Sequence, residues 1–297
     1  MKNKVELILS ELNKVILDKD ITIKLAITCI LSSGNLLVED LPGTGKSTLC
    51  EALARVLGLD FKSIHFTNDL LPSDVIGVNI FNPEIGKFKF IKGPLFTNIL
   101  LVDEINRASS RTQSALLEAM NNKKVSIEGT ELSLPEPFFV LATQNPTDQI
   151  GTSPLPESQL DRFLMKISLG NPSRETEINI LKGDNLNPKQ IKQILNKNEF
   201  IEIQKDIEKI KVSRNILEYI LDLISFTRKN SPGLSTRAAE GLLKASKAYS
   251  FICGETYVIP DHVQFVFESI AEHRINSFGN SFEKLSKETL KNVDAIR

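Results

Sequence analysis

Apolar residues recur three and four positions apart at Val5, Ile8, Leu9, Leu12, Val15 and Ile16, and again across 21–31. That spacing predicts two helices, the second closed by Ser32-Ser33-Gly34. Gly34-Asn35 then turns into the wholly apolar run Leu36-Leu37-Val38, the pattern of a strand buried on both faces. Helical spacing returns at Leu49, Ala52, Leu53, Val56 and Leu57 and stops at Gly58, and Phe61, Ile64 and Phe66 predict a second strand. Pro72, Gly77, Pro83, Gly86, Gly93 and Pro94 punctuate the next stretch, where two short strands over 78–81 and 87–91 predict a hairpin set into a helical connection. A buried strand over 98–102 ends in Asp103-Glu104, a helix follows over 110–121, and alternation at Val125, Ile127, Leu132 and Leu134 predicts a second hairpin. Another buried strand over 137–143 ends in Gln144-Asn145-Pro146, and 160–167 leads into a last strand.

From Pro172 the pattern is helical only, over 174–181, 188–195, 216–226, 236–251 and 260–271. Strands alternating with helices, then helices alone, predict an α/β fold: a parallel sheet in an αβα domain with hairpin insertions, followed by a smaller all-helical domain. The change of character at Gly170-Asn171-Pro172 divides the chain into 1–171 and 172–297.

Composition narrows the class. Of 297 residues 41% are hydrophobic and 25% charged, as in a soluble globular protein, and no apolar run approaches the roughly 20 residues that span a bilayer. The amino-terminal stretch alternates Lys, Asn and Glu with aliphatics, unlike a secretory signal. A net charge of -1 gives no basic surface for a nucleic-acid backbone, which counts against a DNA motor. Cys29, Cys50 and Cys253 lie far apart without metal spacing, so reduced thiols and a cytoplasmic location are expected. The lysines of 182–197 and 205–211 alternate with acids and read as solvated helix faces.

Candidate chemistry begins directly after the first strand, at Glu39-Asp40-Leu41-Pro42-Gly43-Thr44-Gly45-Lys46-Ser47-Thr48. An apolar strand, a glycine-rich turn and Lys-Ser opening a helix is the arrangement that captures a nucleoside triphosphate. The loop from Pro42 to Thr48 would cradle the phosphates with the backbone N–H groups that follow Pro42, Lys46 would meet the β/γ-phosphates and Ser47 would ligate Mg²⁺. The usual pattern asks for glycine where Asp40 stands. A carboxylate in the cradle would be repelled, so Asp40 is expected to point away or to pair with a cation. The bland alternative is a strand-turn-helix with a surface lysine. Asp103 and Glu104 end a strand of the same sheet, whose ligands sit beyond the carboxyl ends of its strands; Asp103 can hold Mg²⁺ and Glu104 can polarise a water. A helix cap is the competing reading of that pair. Asn145 reaches the same edge, where its amide could place a water or merely form an Asn-Pro turn.

Together the motifs resemble AAA+ ATPases and, within them, the MoxR family. They are the phosphate loop from Leu37 to Ser47, Asp103-Glu104-Ile105-Asn106-Arg107-Ala108, Gln113-Ser114-Ala115-Leu116-Leu117-Glu118-Ala119-Met120, the strand from Pro137 to Pro146, and Pro154-Leu155-Pro156-Glu157-Ser158-Gln159-Leu160-Asp161-Arg162-Phe163. MoxR-like sequences commonly carry Glu-Asp where the first glycine is missing. The resemblance implies a P-loop AAA+ domain with a helical lid, assembled as a homo-oligomeric ring, a hexamer by precedent, with ATP and Mg²⁺ between subunits. It assigns Lys46 and Ser47 to phosphate and Mg²⁺, Asp103 to Mg²⁺, Glu104 to water activation and Asn145 to sensing the γ-phosphate. Arg162 resembles a finger inserted into the neighbour's site, with a salt bridge to Asp161 or Glu157 as the alternative. Arg237 resembles the lid arginine called sensor 2, acting on its own nucleotide or a neighbour's. The hairpins resemble insertions of the branch that includes magnesium-chelatase subunits, and Asp18-Lys19-Asp20 replaces the Gly-Gln pair often found near the adenine.

The function implied is remodelling or maturation of client protein complexes, with metal or cofactor insertion as one form of it. A separate von Willebrand factor A domain protein is the implied partner; no nucleic acid or membrane is expected. The alternative is a nucleotide-dependent assembly switch that scarcely hydrolyses ATP.

Overall fold

The computed structural model describes residues 2–40, 43–84, 86–145, 155–183, 187–230, 233–275 and 285–295. Helices α1 (Lys2–Asn13) and α2 (Asp20–Leu31) precede β1 (Leu36–Glu39), α3 (Lys46–Leu57), β2 (Phe61–His65) and the single turn α4 (Pro72–Ile76). Then come the hairpin β3 (Gly77–Asn82) and β4 (Lys87–Lys92), β5 (Ile99–Asp103), α5 (Ser110–Asn122) and the hairpin β6 (Lys124–Ile127) and β7 (Thr130–Ser133). The sheet is completed by β8 (Phe139–Gln144), the turn α6 (Glu157–Leu160) and β9 (Met165–Ile167). Helices α7 (Arg174–Lys182), α8 (Lys197–Glu208), α9 (Arg214–Asn230), α10 (Thr236–Ile252), α11 (Pro260–Ile275) and α12 (Leu285–Asn292) follow.

The five long-range strands form one parallel sheet in the order β2-β5-β8-β1-β9, and both hairpins stand outside it. Because side chains alternate across a strand, each apolar run divides between two cores. Leu36, Val38, Ile99, Leu101, Phe139 and Leu141 enter one; Leu37, Leu100, Val102, Val140 and Ala142 enter the other. The second core is closed by α4 and α5 through Val75, Leu116, Leu117 and Met120. The first is larger, running from α1, α2 and α3 through the sheet into the helical region, with Phe200, Ile203, Leu223, Leu242, Val266, Phe267 and Ile270. Phe200 of α8 meets Phe139 of β8 edge to face at 5.8 Å. The helical region therefore packs against the body through a shared apolar core.

Two helical expectations need correction. Residues 188–195 do not form a helix: Pro188–Gln190 is one 3-10 turn, capped by Asn187, and the chain then runs extended so that Ile194 and Leu195 donate to the carbonyl of Val56. Pro188 favours that first turn, but Asn196 begins a new helix instead, its side chain accepting from Glu199 N while Glu199 accepts from Asn196 N. The resulting α8 was legible only as a charged face, yet it buries Phe200, Ile203 and Ile207 on one side. Helix α12 is a further element that apolar spacing did not reveal. Among the described residues no helix is long and apolar enough to cross a membrane.

Lys123 ties the end of α5 to the start of β8. It adopts the left-handed conformation and donates from Nζ to the carbonyl of Phe138 at 2.9 Å, and burial pushes its ammonium down to about 8. Unfolded, the same group titrates near 10.4. Between about pH 8 and 10.4 the unfolded chain binds more protons, so this group makes stability rise with pH over that window. Lys123→Met should remove that contribution. Urea midpoints of variant and parent should converge in the parent's favour from pH 8 to 10, and a pH-independent difference would contradict it.

Candidate active site

The strand order places the site. β8 lies between β1 and β5, so the residue leaving β8 emerges between the residues leaving its two neighbours. Lys46 follows β1, Glu104 follows β5 and Asn145 follows β8, all at the carboxyl edge where open α/β sheets bind ligands. Asn145, buried, donates from Nδ2 to Glu104 Oε1 at 2.8 Å, and its Oδ1 accepts from Lys46 Nζ at 3.4 Å. Lys46 also donates to the carbonyl of Asp40 at 2.7 Å. Burial lowers the pKa of Lys46, opposed by the charges of Asp40, Asp103 and Glu104. An anionic ligand at this lysine would stabilise its charged form.

The phosphate loop precedes α3. Gly43 and Gly45 take φ of 85° and 88°, left-handed values that disfavour a side chain, and nothing lies within 4 Å of where a Cβ would stand on either. Helix α3 starts here without a side-chain cap, and Ser47 in its first turn is exposed. Pro42, expected to take part in the cradle, lies outside the described residues. The side chain of Asp40 points away from the loop. Its carboxylate accepts from Ser168 Oγ at 2.7 Å, from Gly170 N at 3.1 Å and from Leu169 N, which fastens the end of β1 to the turn after β9. No cation partner is needed for it.

Three residues at this edge were not singled out from sequence. Thr143 of β8 donates to Asp103 Oδ1 and accepts from Glu104 N at 3.0 Å, fixing the backbone between the two acids. His65, ending β2, stands with Nδ1 3.2 Å from Asp103 Oδ2 and Nε2 3.2 Å from Glu104 Oε2. Arg107 Nε lies 2.8 Å from the same Oε2. Arg107 sits three residues after Glu104 on a 3-10 turn, and His65 faces Asp103 in the strand register. Its place at the carboxyl end of a strand was the available signal for His65. Glu104 itself adopts φ 55° and ψ 50°, which turns its side chain out of the strand direction. As for a metal, no group of three or more His, Cys, Asp or Glu side chains that could hold one occurs among the described residues. The hard oxygen donors of Ser47 and Asp103 fit Mg²⁺ in the manner in which that ion is usually held, by one or two protein oxygens, waters and substrate phosphates.

Beside the loop a cleft of about 130 Å³ is lined by Val15, Ile16, Leu17 and Ile180 together with Lys19, Thr44, Thr48 and Thr176. Asp18 and Lys19 bolt its rim: the Asp18 carboxylate accepts from Ser173 and Thr176 hydroxyls, and Lys19 Nζ donates to the carbonyl of Asn171 at 2.8 Å.

The two arginines belong to a separate network. Arg162 pairs with neither Asp161 nor Glu157, and its Nε is buried without a hydrogen-bond partner. Asp161 is engaged by Arg274 at 2.8 Å and by the exposed Arg237 at 3.7 Å. Arg237 opens α10, which is capped by Ser235. Thus the fold gathers Lys46, Asp103, Glu104 and Asn145, while Arg162 and Arg237 flank Asp161.

Known proteins are similar to this chain in sequence and fold. Residues 35–165 match the ATPase family associated with various cellular activities, and residues 230–293 match the AAA lid domain. The chain is 43% identical to the uncharacterized protein YeaC of Bacillus subtilis, covering 89% of this chain and 84% of that one. It is 38% identical to Chaperone MoxR1 of Mycobacterium tuberculosis, covering 89% and 74% respectively. A crystal structure from Cytophaga hutchinsonii, described as that of a candidate ATPase, superposes with a TM-score of 0.89 at 38% identity over 99% of this chain and 95% of that one.

The Asp40 contacts generate a prediction. Asp40→Ala removes the acceptor of three donors, of which Leu169 N is buried, and should lower folding stability by roughly 1–3 kcal/mol. Urea denaturation reads this; an unchanged midpoint would mean that the carboxylate does not hold the β9 turn.

Proposed function

The chain belongs to the MoxR family of AAA+ ATPases, and from that footing we propose that it hydrolyses ATP between the subunits of a ring, a hexamer by family precedent, to remodel client proteins. The observation that carries this reading is the line of contacts Lys46–Asn145–Glu104, which joins the phosphate loop to a strand-end carboxylate through one amide. We assign the phosphates to the backbone of Pro42 to Thr48 and to Lys46, and Mg²⁺ to Ser47 and Asp103. Mg²⁺ would supply charge neutralisation across the β- and γ-phosphates. A bound γ-phosphate competes for Lys46 and for the Asn145 amide, leaving Glu104 Oε1 free to accept a proton from the attacking water. Arg162, its Nε unpartnered within the subunit, is assigned to a neighbour's γ-phosphate. Arg237 is assigned to the nucleotide as lid sensor, and the division after Asn171 separates nucleotide-binding body from lid.

Client remodelling is supported by the first hairpin. Val78, Ile80 and Ile91 lie exposed on one of its faces, Phe81 and Phe88 form an exposed edge-to-face pair at 5.4 Å near its tip, and Lys87, Lys89 and Lys92 surround them. That surface suits a client segment carrying acidic and apolar side chains. A separate von Willebrand factor A domain protein is a partner consistent with the family, and maturation by metal or cofactor insertion is one form the work can take.

A second reading, an assembly switch with little hydrolysis, is favoured by the engagement of Glu104 with Asn145, Arg107 and His65 in this structure. Steady-state ATP hydrolysis decides. The proposal expects Glu104→Gln to lower the rate about 10²- to 10⁴-fold. Equal, negligible rates in both proteins, with ATP-dependent assembly, would instead establish the switch. Lys46→Ala should lose nucleotide binding by fluorescent-ATP titration, whereas Arg162→Ala should keep binding and lose about 10³- to 10⁵-fold in turnover. Full activity in Arg162→Ala would remove the shared site.

A further inference from the structure

The side chain of Arg274 in α11 is 7% exposed and reaches with every guanidinium nitrogen the four residues that contain Arg162. Its Nε donates to Asp161 Oδ1 at 2.8 Å, one terminal nitrogen donates to the carbonyls of Asp161 at 3.2 Å and Phe163 at 2.7 Å, and the other donates to Leu164 O at 3.2 Å. A further bond runs from that second nitrogen to Ile270 O on the same helix. The next side chain along α11, His273, is held neutral by burial and donates from Nε2 to Phe163 O at 3.0 Å. The carbonyls on both sides of Arg162 are therefore engaged by one helix of the lid, while Arg162 Nε has no hydrogen-bond partner.

A buried arginine that only stabilised the fold could be satisfied by any carbonyls and a carboxylate. Here all the acceptors but Ile270 O are groups of a single loop, four residues long, joined otherwise to α6 by one-turn contacts and to Asn35 O by Leu164 N at 2.8 Å. The planar fork of Arg has enough fixed donors to take them all at once, whereas a lysine ammonium is a point charge on a flexible stem. Asp161 is shared: Arg237 Nη1 lies 3.7 Å from its Oδ2 and Ser235 Oγ lies 3.5 Å from its Oδ1, both at the start of α10. Helix α11 thus holds the Asp161–Leu164 loop through Arg274 and His273, and the start of α10 touches it only at the Asp161 carboxylate.

We propose that Arg274 is the positioning residue for Arg162. Through it, the lid of one subunit sets the placement of the arginine that this subunit offers to its neighbour's nucleotide. The inference rests on the shared-site reading of Arg162. It makes a directional statement, since Arg274 serves the neighbour's site and not the one in its own subunit.

Mixed assemblies separate these claims. Glu104→Gln subunits bind ATP and can donate Arg162 but cannot hydrolyse; Arg162→Ala subunits can hydrolyse only where a neighbour supplies the arginine. Mixing the two should recover ATP turnover, and no recovery would overturn the shared-site reading and this proposal with it. Adding Arg274→Gln to the donor should cut the recovered rate by about tenfold or more. Adding it to the Arg162→Ala acceptor should change the rate by no more than about twofold. Equal losses in donor and acceptor, or loss in neither, would make Arg274 a structural residue and overturn the proposal while leaving the shared site standing. If Arg274→Gln fails to fold, Arg274→Lys, which keeps the charge but not the fork, gives the same donor-only loss, with thermal melting and fluorescent-ATP binding confirming that both mixtures contain folded, loaded subunits.

Discussion

The arrangement of the whole site depends on β8 standing between β1 and β5. Only a strand in that slot can deliver one short amide between an ammonium that follows β1 and a carboxylate that follows β5. Asn145 does so, and the register places Thr143 of the same strand beside Asp103 and Glu104. The chemistry at the edge is thus a consequence of crossover order, since β8 comes late in sequence yet sits at the centre of the sheet. Its full burial on both faces is what makes the delivery rigid: Phe139 and Leu141 lock one side, Val140 and Ala142 the other.

The same alternation connects site and lid. The face of the sheet that holds α1, α2 and α3 also receives α8 and the carboxy-terminal helices, so a displacement of those helices is felt at β8 and at β9. Polar contacts repeat the connection where the apolar ones end. Asp40 fastens the end of β1 to the backbone after β9, and Asp18 fastens the loop before α2 to the start of α7. Both carboxylates lie next to the phosphate loop and its neighbouring cleft, and both face away from an incoming anion. In a site built to receive a triphosphate, acids are tolerable only where their charge is consumed by donors of the protein itself.

Much of this was legible along the chain. The strands with continuous apolar runs, the hairpins and the loop from Gly43 to Ser47 announce themselves through spacing that has one physical meaning, and the grouping of Lys46, Asp103, Glu104 and Asn145 follows once those strands are taken as parallel. What spacing could not give was the use of capping to restart the chain. Residues 188–195 carry apolar side chains at helical intervals, but Asn196 with Glu199 begins α8 and leaves that stretch extended against Val56. The direction of the Asp40 side chain was open for the same reason, because nothing in one segment tells which distant backbone N–H groups will meet it. His65 and Arg274 were passed over because their partners lie 38 or more residues away, at Asp103 and Asp161, and a lone His or Arg has no periodicity.

Glu104 shows what the protein does with the state described here. Its backbone is in the left-handed region, which costs a non-glycine residue on the order of 1–3 kcal/mol, and its carboxylate lies against Asn145, Arg107 and His65. The Asn145 amide holds Oε1 at 2.8 Å while Arg107 and His65 stand beside Oε2, so the carboxylate is engaged. A ligand can change this only by interacting more strongly with the arrangement in which Glu104 is free. A triphosphate has that leverage, since its γ-phosphate presents several negative charges to the same Lys46 and Asn145 that now point toward Glu104. On the proposed assignment of Glu104 as base, it would be released when its own partners are drawn to the substrate, which would tie the onset of hydrolysis to complete occupation of the loop.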